Sequence, residues 1–171
     1  MRKSQNLTLA DLAEKTEVSL SFLSQVERGI INPSINSLRR IALALGTPLS
    51  HFFDESASTN GPLVRKNERK VLVNKDSRLV YQLLSSDPNR RIEFLLSRLE
   101  IGAASVNSLM AHKGDEAALV LHGECLIELG QDKYDLKEGD SIYITENTPH
   151  RFTNTGSVPL IIVSAISPPG F

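Results

Sequence analysis

The period of the hydrophobic pattern changes part-way along this chain. Between Leu9 and Leu45 apolar residues recur at helical spacing: Leu9, Leu12 and Ala13 first, then Ile35, Leu38, Ile41, Ala42 and Leu45. Thr8 followed by Asp11 reads as a variant capping box, and Ser19 and Ser34 read as helix N-caps. Gly29 and Gly46 close the helices that precede them. Thr47-Pro48 starts a short last helix with proline at its first helical position, and Leu49, Phe52 and Phe53 close a small core. The stretch Leu9 to Arg28, LADLAEKTEVSLSFLSQVER, predicts two short helices joined by a tight turn. Leu12, Ala13, Thr16, Val18, Leu23 and Val26 fall on the inner face of that pair. Ser19, Ser21, Ser24, Gln25 and Arg28 fall outside, on a polar face suited to a DNA groove.

After residue 53 the pattern breaks. DESASTNGP is small, polar and turn-rich, and a basic run follows at Arg65, Lys66, Arg69 and Lys70. That run either follows a DNA backbone or is a solvated stretch. Val71–Val73 predicts a first strand. Short apolar runs separated by turn signals then predict strands at Leu79–Leu84, Ile92–Leu99, Ala117–Leu121, Cys125–Leu129, Ser141–Thr145 and Pro159–Ile166. About eight to ten evenly spaced strands, with no long helical pattern, predict a sandwich or small barrel. The expected fold class is therefore α + β in two domains: an all-α bundle over 1–53, a linker over 54–69, and an all-β domain over 70–171.

Composition is ordinary for a globular protein, with 40% hydrophobic and 23% charged residues. No apolar run approaches the ~20 residues of a membrane span, so no membrane partner is expected. The N-terminus is polar, and the single Cys125 leaves no internal disulfide to form; both suit the cytoplasm. The net charge of −1 hides an uneven spread. Residues 1–53 carry six Lys/Arg against four Asp/Glu, residues 63–78 six against two, and residues 79–171 seven against twelve. The basic first part suits phosphate contacts, whereas the acidic second part would be repelled by DNA.

From about Leu7 to Phe53, including Gly29, Pro33, Ser34 and LRRIALALGTPL, the chain resembles the helix-turn-helix domain of XRE-type regulators, the group of the phage repressors. The family opens with a full helix, where this chain has only MRKSQ: a stub, or a late start. The family also has Gly in the turn, where this chain has Glu17 and a positive φ is expected. The resemblance implies that the N-terminal turn of the second helix meets base edges through Ser19, Leu20 and Ser21, with Gln25 one turn further on. Gln can contact adenine twice, and Leu20 can touch a thymine methyl. Ser24, Arg28 and Asn32 are expected at phosphates. Arg39 and Arg40 either reach phosphates or lie on a solvated face. Two such helices must reach successive faces of a double-stranded DNA operator, so a homodimer is expected, with the second domain supplying the contact.

HKGDEAALVLHG, at His112–Gly123, sets Glu116 four residues after His112 and Gly123 seven after Glu116. EGDSIYITENTPHRFTN follows, with Gly139, His150 and Asn154 at matching intervals. These spacings resemble the two motifs of the cupin domain, a double-stranded β-helix barrel; the usual Pro and Gly of the second motif are replaced by Thr145 and Asn147. Cupin enzymes commonly hold a divalent metal on three His and one carboxylate. The resemblance implies His112, Glu116 and His150 as three of those ligands for Zn or Fe, with Met110 at the first His position. A thioether is a poor ligand for such ions, so a metal is possible and not required. The same groups could instead anchor an organic effector: Glu116 facing an amine, His112 and His150 as polar anchors, and Met110 and Asn154 beside them. Tyr81, Arg98 and Tyr143 are further candidates for the cavity wall. His122 reads as exposed and Cys125 as a buried, inert thiol.

Together the two resemblances imply a ligand-responsive transcriptional regulator whose barrel senses a small metabolite, with no catalytic residues. A cupin-type metal-dependent enzyme with a helical recruitment domain is the alternative. A third reading makes the helical part a protein-interaction module.

Overall fold

A computed structural model describes residues 2–31, 33–52, 62–73, 78–85 and 91–169, the side chains of Ile35 and Asn36 excepted. The head holds α1 (Leu9–Thr16), α2 (Leu20–Glu27) and α3 (Ile35–Leu45), followed by a 3-10 turn at Leu49–Phe52. Each start is capped as the sequence predicts. The Asp11 amide donates to Thr8 Oγ1 at 3.1 Å and the Thr8 amide donates to Asp11 Oδ2 at 2.7 Å, a complete capping box. Ser19 Oγ accepts from the Phe22 amide and Ser34 Oγ from the Ser37 amide. Glu17 ends α1 at φ +53°, the left-handed conformation in which the family places glycine.

Arg2–Gln5 is a single 3-10 turn with no buried residue. Polar bonds fix it: Arg2 pairs with Glu27 at 2.7 Å, and Gln5 Nε2 donates to the Leu45 carbonyl. The head's own core is correspondingly small. Leu12, Leu23, Ile41 and Leu45 are buried, with Leu7, Val18, Phe22 and Phe52 around them. Asn32 and Phe53 lie outside the described residues.

The barrel has nine strands among the described residues: β1 (Lys70–Val73), β2 (Leu79–Leu83), β3 (Glu93–Leu99), β4 (Asp115–His122), β5 (Glu124–Leu129), β6 (Asp132–Lys137), β7 (Ser141–Ile144), β8 (His150–Asn154) and β9 (Leu160–Ser167). They form a six-stranded sheet, in the order β1-β2-β3-β9-β4-β7, and a three-stranded sheet, β6-β5-β8. Every pairing is antiparallel. Alternation along the central strands sends Leu95, Leu99, Ile127, Leu160, Ile162 and Ile166 into one core. The predicted strands all form. β6 and β8 were not among the predicted strands: the β6 residues DKYDLK are almost all exposed and are held by pairing with β5, and β8 pairs with β5 on its other side. No helix among the described residues is long and apolar enough to cross a membrane.

The two domains share one core. Ile41 and Leu45 face the head, but Leu38, Ala42 and Leu49 join the barrel's cluster with Leu79, Tyr81 and Leu95. Arg39, on the same side of α3, is buried rather than solvated or free to reach a phosphate. It donates from Nη2 to the Tyr81 hydroxyl, and its guanidinium lies 5.0 Å from the centre of that ring. The Ser50 amide donates to the buried Glu93 carboxylate at 2.7 Å. These contacts correct the expectation of phosphate contact at Arg39. Arg40 faces outward and pairs loosely with Glu17 at 3.6 Å.

Candidate functional site

Capping and burial orient α2 in the head. Leu23 is its one buried side chain, and Phe22 packs beside it against the head core. The opposite side is left open: Ser19, Leu20, Ser21 and Arg28 are exposed, and Ser24 and Gln25 are half-exposed. Leu20 shows half its surface. Ser19 and Ser21 hydroxyls lie 3.2 Å apart, and Arg28 Nε donates to the Ser24 carbonyl, closing the end of the helix. A short polar helix with one apolar tip and a cation at its far end therefore projects from the head.

The barrel's site is built from three segments. Gly114 sits between His112 and Glu116 where the chain passes under the end of β9. A methyl group there would overlap the Pro168 carbonyl oxygen and meet Ile166 Cγ2 at 2.9 Å. Only glycine lets the two ligand-type residues approach the barrel axis at this spacing. Asn147, which stands where the family has glycine, takes φ +60° and turns the chain towards His150. His112 Nε2 lies 3.1 Å and His150 Nε2 3.4 Å from the same oxygen, Glu116 Oε2, and the two rings meet edge to face at 5.0 Å. All three side chains are buried.

This cluster has a definite electrostatic state. Burial alone would raise the Glu116 carboxyl, but hydrogen bonds from His112 and His150 and the charge of His150 outweigh it. They hold the group far below the usual carboxylate range, and it stays ionised. His150 Nδ1 donates to the Thr148 carbonyl at 2.9 Å, which fixes the ring and aims Nε2 at Glu116. A lone pair facing a carboxylate oxygen needs a proton or a cation between them. The donor set thus fits a divalent metal, which His112, Glu116 and His150 would hold, all three ligand atoms lying within 4.8 Å of one another. Such an ion would supply a Lewis-acid point for an oxygen or nitrogen of a bound molecule.

Around the cluster lies a cavity lined by Arg39, Tyr81, Ser97, Ser105, Phe152 and Ser164 over a floor of leucine and isoleucine. Tyr81 lines it, as the sequence suggested. Arg98 is exposed and bound to Glu100, and Tyr143 is exposed and donates to Asp115; neither lines the cavity. Two effector candidates need correction. Met110 pairs by backbone with His150 but lines a separate cleft with Val18, Ser34, Arg40 and Asn107. Asn154 is buried, yet its amide group is spent on the chain itself: Nδ2 donates to the Leu99 and Val158 carbonyls, and Oδ1 accepts from the Gly156 amide. It clamps a turn. Sequence reasoning missed Ser97, Ser105 and Ser164: Ser97 and Ser164 take inward positions of β3 and β9, Ser105 lies outside the strands, and nothing in the sequence placed Arg39 there. His122 is exposed beside Glu138, and burial pushes the Cys125 thiol up to about 11, which makes it inert at neutral pH.

Residues 1–52 match the family model described as helix-turn-helix, and residues 95–166 match the one described as cupin domain. The HTH-type transcriptional regulator PuuR of Escherichia coli K12 is 27% identical over 172 residues, spanning 100% of this chain and 92% of its own length. The HTH-type transcriptional regulator SutR of the same organism is 25% identical over 91% of this chain and 84% of its own. A crystal structure of an HTH_3 family transcriptional regulator from Vibrio cholerae shares the fold, with a TM-score of 0.77 at 24% identity, over 98% of this chain and 90% of that one. An RmlC-like cupin from Shewanella frigidimarina covers 65% of this chain and 94% of its own, with a TM-score of 0.55 at 17% identity. With three capped helices at one end and a two-sheet barrel at the other, this chain belongs to the XRE-type helix-turn-helix transcriptional regulators that carry a C-terminal cupin domain.

Proposed function

We propose that this regulator is cytoplasmic, reads a double-stranded operator as a homodimer and responds to a small metabolite, an amine, amino acid or similar molecule, held in the barrel. The carrying observation is the division of polar groups. The α2 face from Ser19 to Arg28 is turned to solvent, while Glu116, His112 and His150 are enclosed. In this reading Ser19, Leu20, Ser21 and Gln25 meet base edges, and Ser24, Arg28 and Asn32 meet phosphates. A second copy fits the outer face of the large sheet, where Phe94, Leu119 and Tyr143 are exposed around Ala117, Val163 and Ala165. We read the barrel as a sensor, because its buried polar groups converge on the Glu116 carboxylate beside a cavity.

Titration of the full chain on its own upstream DNA and on a scrambled duplex tests the reading. Tighter binding to the upstream duplex is expected; no binding even at low salt would support a protein-interaction head instead. The His112–Glu116–His150 cluster keeps the metal-dependent enzyme as a second reading. Stoichiometric iron or zinc together with turnover, both lost in His112→Ala and His150→Ala, would favour it.

A further inference from the structure

The cavity that the sensor reading assigns to an effector has no room for one while the head is docked. The space left inside is ≈20 Å³, enough for about one water. One wall of it belongs to the head. Arg39, from α3, reaches into the barrel, lies over the Tyr81 ring and bonds its hydroxyl. The same helix packs Leu38 and Ala42 into the barrel's hydrophobic cluster, and the Ser50 amide pins the head to Glu93. A guanidinium thus shares a buried chamber with the Glu116 carboxylate, the Tyr81 hydroxyl and three serines. Withdrawing Arg39 would open a hole shaped for a planar or ammonium cation beside the Tyr81 ring, and would take from the buried Glu93 carboxyl a guanidinium whose charge it feels. A buried carboxylate that loses a cation is costly, so a replacement cation is favoured.

We propose that Arg39 is a tethered occupant of the barrel's ligand site, so that the barrel holds either the docked head or an organic cation, an alkylammonium or alkylguanidinium, but not both. The proposal rests on the sensor reading and adds its coupling: the incoming cation takes the place of Arg39, the Ser50–Glu93 bond opens, and α3 leaves the barrel mouth. The two recognition helices of a dimer are then released from the geometry that docking imposes. A bare metal ion differs, because it fits the existing space and leaves the head in place.

Ethylguanidinium, the end of an arginine side chain, is the probe. Its binding to the full-length protein is measured by calorimetry against matched sodium chloride, for the wild type, Arg39→Met and Ala42→Gln. Arg39→Met removes the occupant but keeps an apolar stem. Ala42→Gln wedges the head off while leaving the cavity wall intact, and it carries the test if Arg39→Met does not fold. Both variants are expected to bind the probe at least tenfold more tightly than the wild type. In the wild type, saturating probe is expected to speed hydrogen exchange at the Ser50 amide and in α3. Equal or weaker binding by both variants would overturn the proposal, as would binding to the wild type with the Ser50 amide still protected. Failure of the sensor reading looks different: the probe enters the Arg39→Met cavity, yet no metabolite alters operator binding.

Discussion

The head and the barrel solve the problem of burying apolar surface in opposite ways. The barrel closes two sheets on one continuous core, to which the head adds Leu38, Ala42 and Leu49. The head's own cluster holds four buried apolar residues among those described, Arg2–Gln5 adds only a 3-10 turn with none buried, and the third helix divides its apolar face between two cores. A domain this small is marginal by itself. The barrel mouth completes it, through Leu38, Ala42, Leu49 and the Arg39–Tyr81 contact. In the proposed reading, a DNA-reading unit that borrows stability from an effector-binding unit is sensitive to whatever happens at their shared surface, and that is the property a switch requires.

Matched core truncations would break this comparison most directly. Leu23→Ala should cost about 2–5 kcal/mol, the usual range for a buried leucine. In so small a core that loss should abolish amide protection throughout α1–α3 while the strands stay protected. Ile127→Ala removes similar bulk from the barrel and should weaken strands and head together. If Leu23→Ala lowered protection equally in both domains, the head would not be the weaker partner.

Gln25→Ala sharpens the division of tasks. It should weaken operator binding by about 1–3 kcal/mol, the worth of one good base contact, and leave random-sequence binding unchanged. Equal loss on both duplexes would make Gln25 a phosphate contact.

Two buried carboxylates distinguish barrel from junction by pH. Glu116 is depressed, so its contribution to stability is present above its ordinary value of 4.5 and is lost as pH falls through the folded one. Glu93 is raised, by burial above all, against the Ser50 amide and the nearby Arg39 and His112 charges. Its contribution is present below 4.5 and is lost as pH rises through the folded value. Melting temperatures across pH should therefore show Glu116→Gln losing most at neutral pH and converging on the wild type in acid. Glu93→Gln should gain on the wild type as pH rises. The reverse order would misplace both groups.

The smallest effect belongs to the turn between α1 and α2. Glu17 holds a positive φ, so Glu17→Gly should be neutral to stabilising by up to about 1 kcal/mol, offset by glycine's greater freedom when unfolded. Denaturant melts would show it; a clear loss would mean that the exposed Arg40 pairing matters more than the backbone.

What the sequence made legible was local. Thr8 with Asp11, Ser19, Ser34 and Gly46 state helix ends, because caps act over three or four residues. The positive φ at Glu17 could be foreseen by alignment with a motif, and the His112–Glu116–His150 spacing foretold a cluster that the barrel does assemble. Features set by distant neighbours were not legible. β6 is a strand only because β5 lies beside it, and Asn154 serves a turn although it alternates with His150 and Phe152. Arg39 looked like any cation on a helix. Its burial depends on where the head rests, and periodicity within α3 cannot tell which of its apolar positions face a second domain.

The account stands or falls on coupling between the cavity and the DNA face. The decisive measurement is operator affinity of the full-length protein with and without a metabolite found, by thermal shift, to stabilise it. A change of about 5-fold or more, the range of ordinary allosteric coupling, is predicted. A metabolite that binds the barrel at saturation and leaves operator affinity unchanged would contradict it.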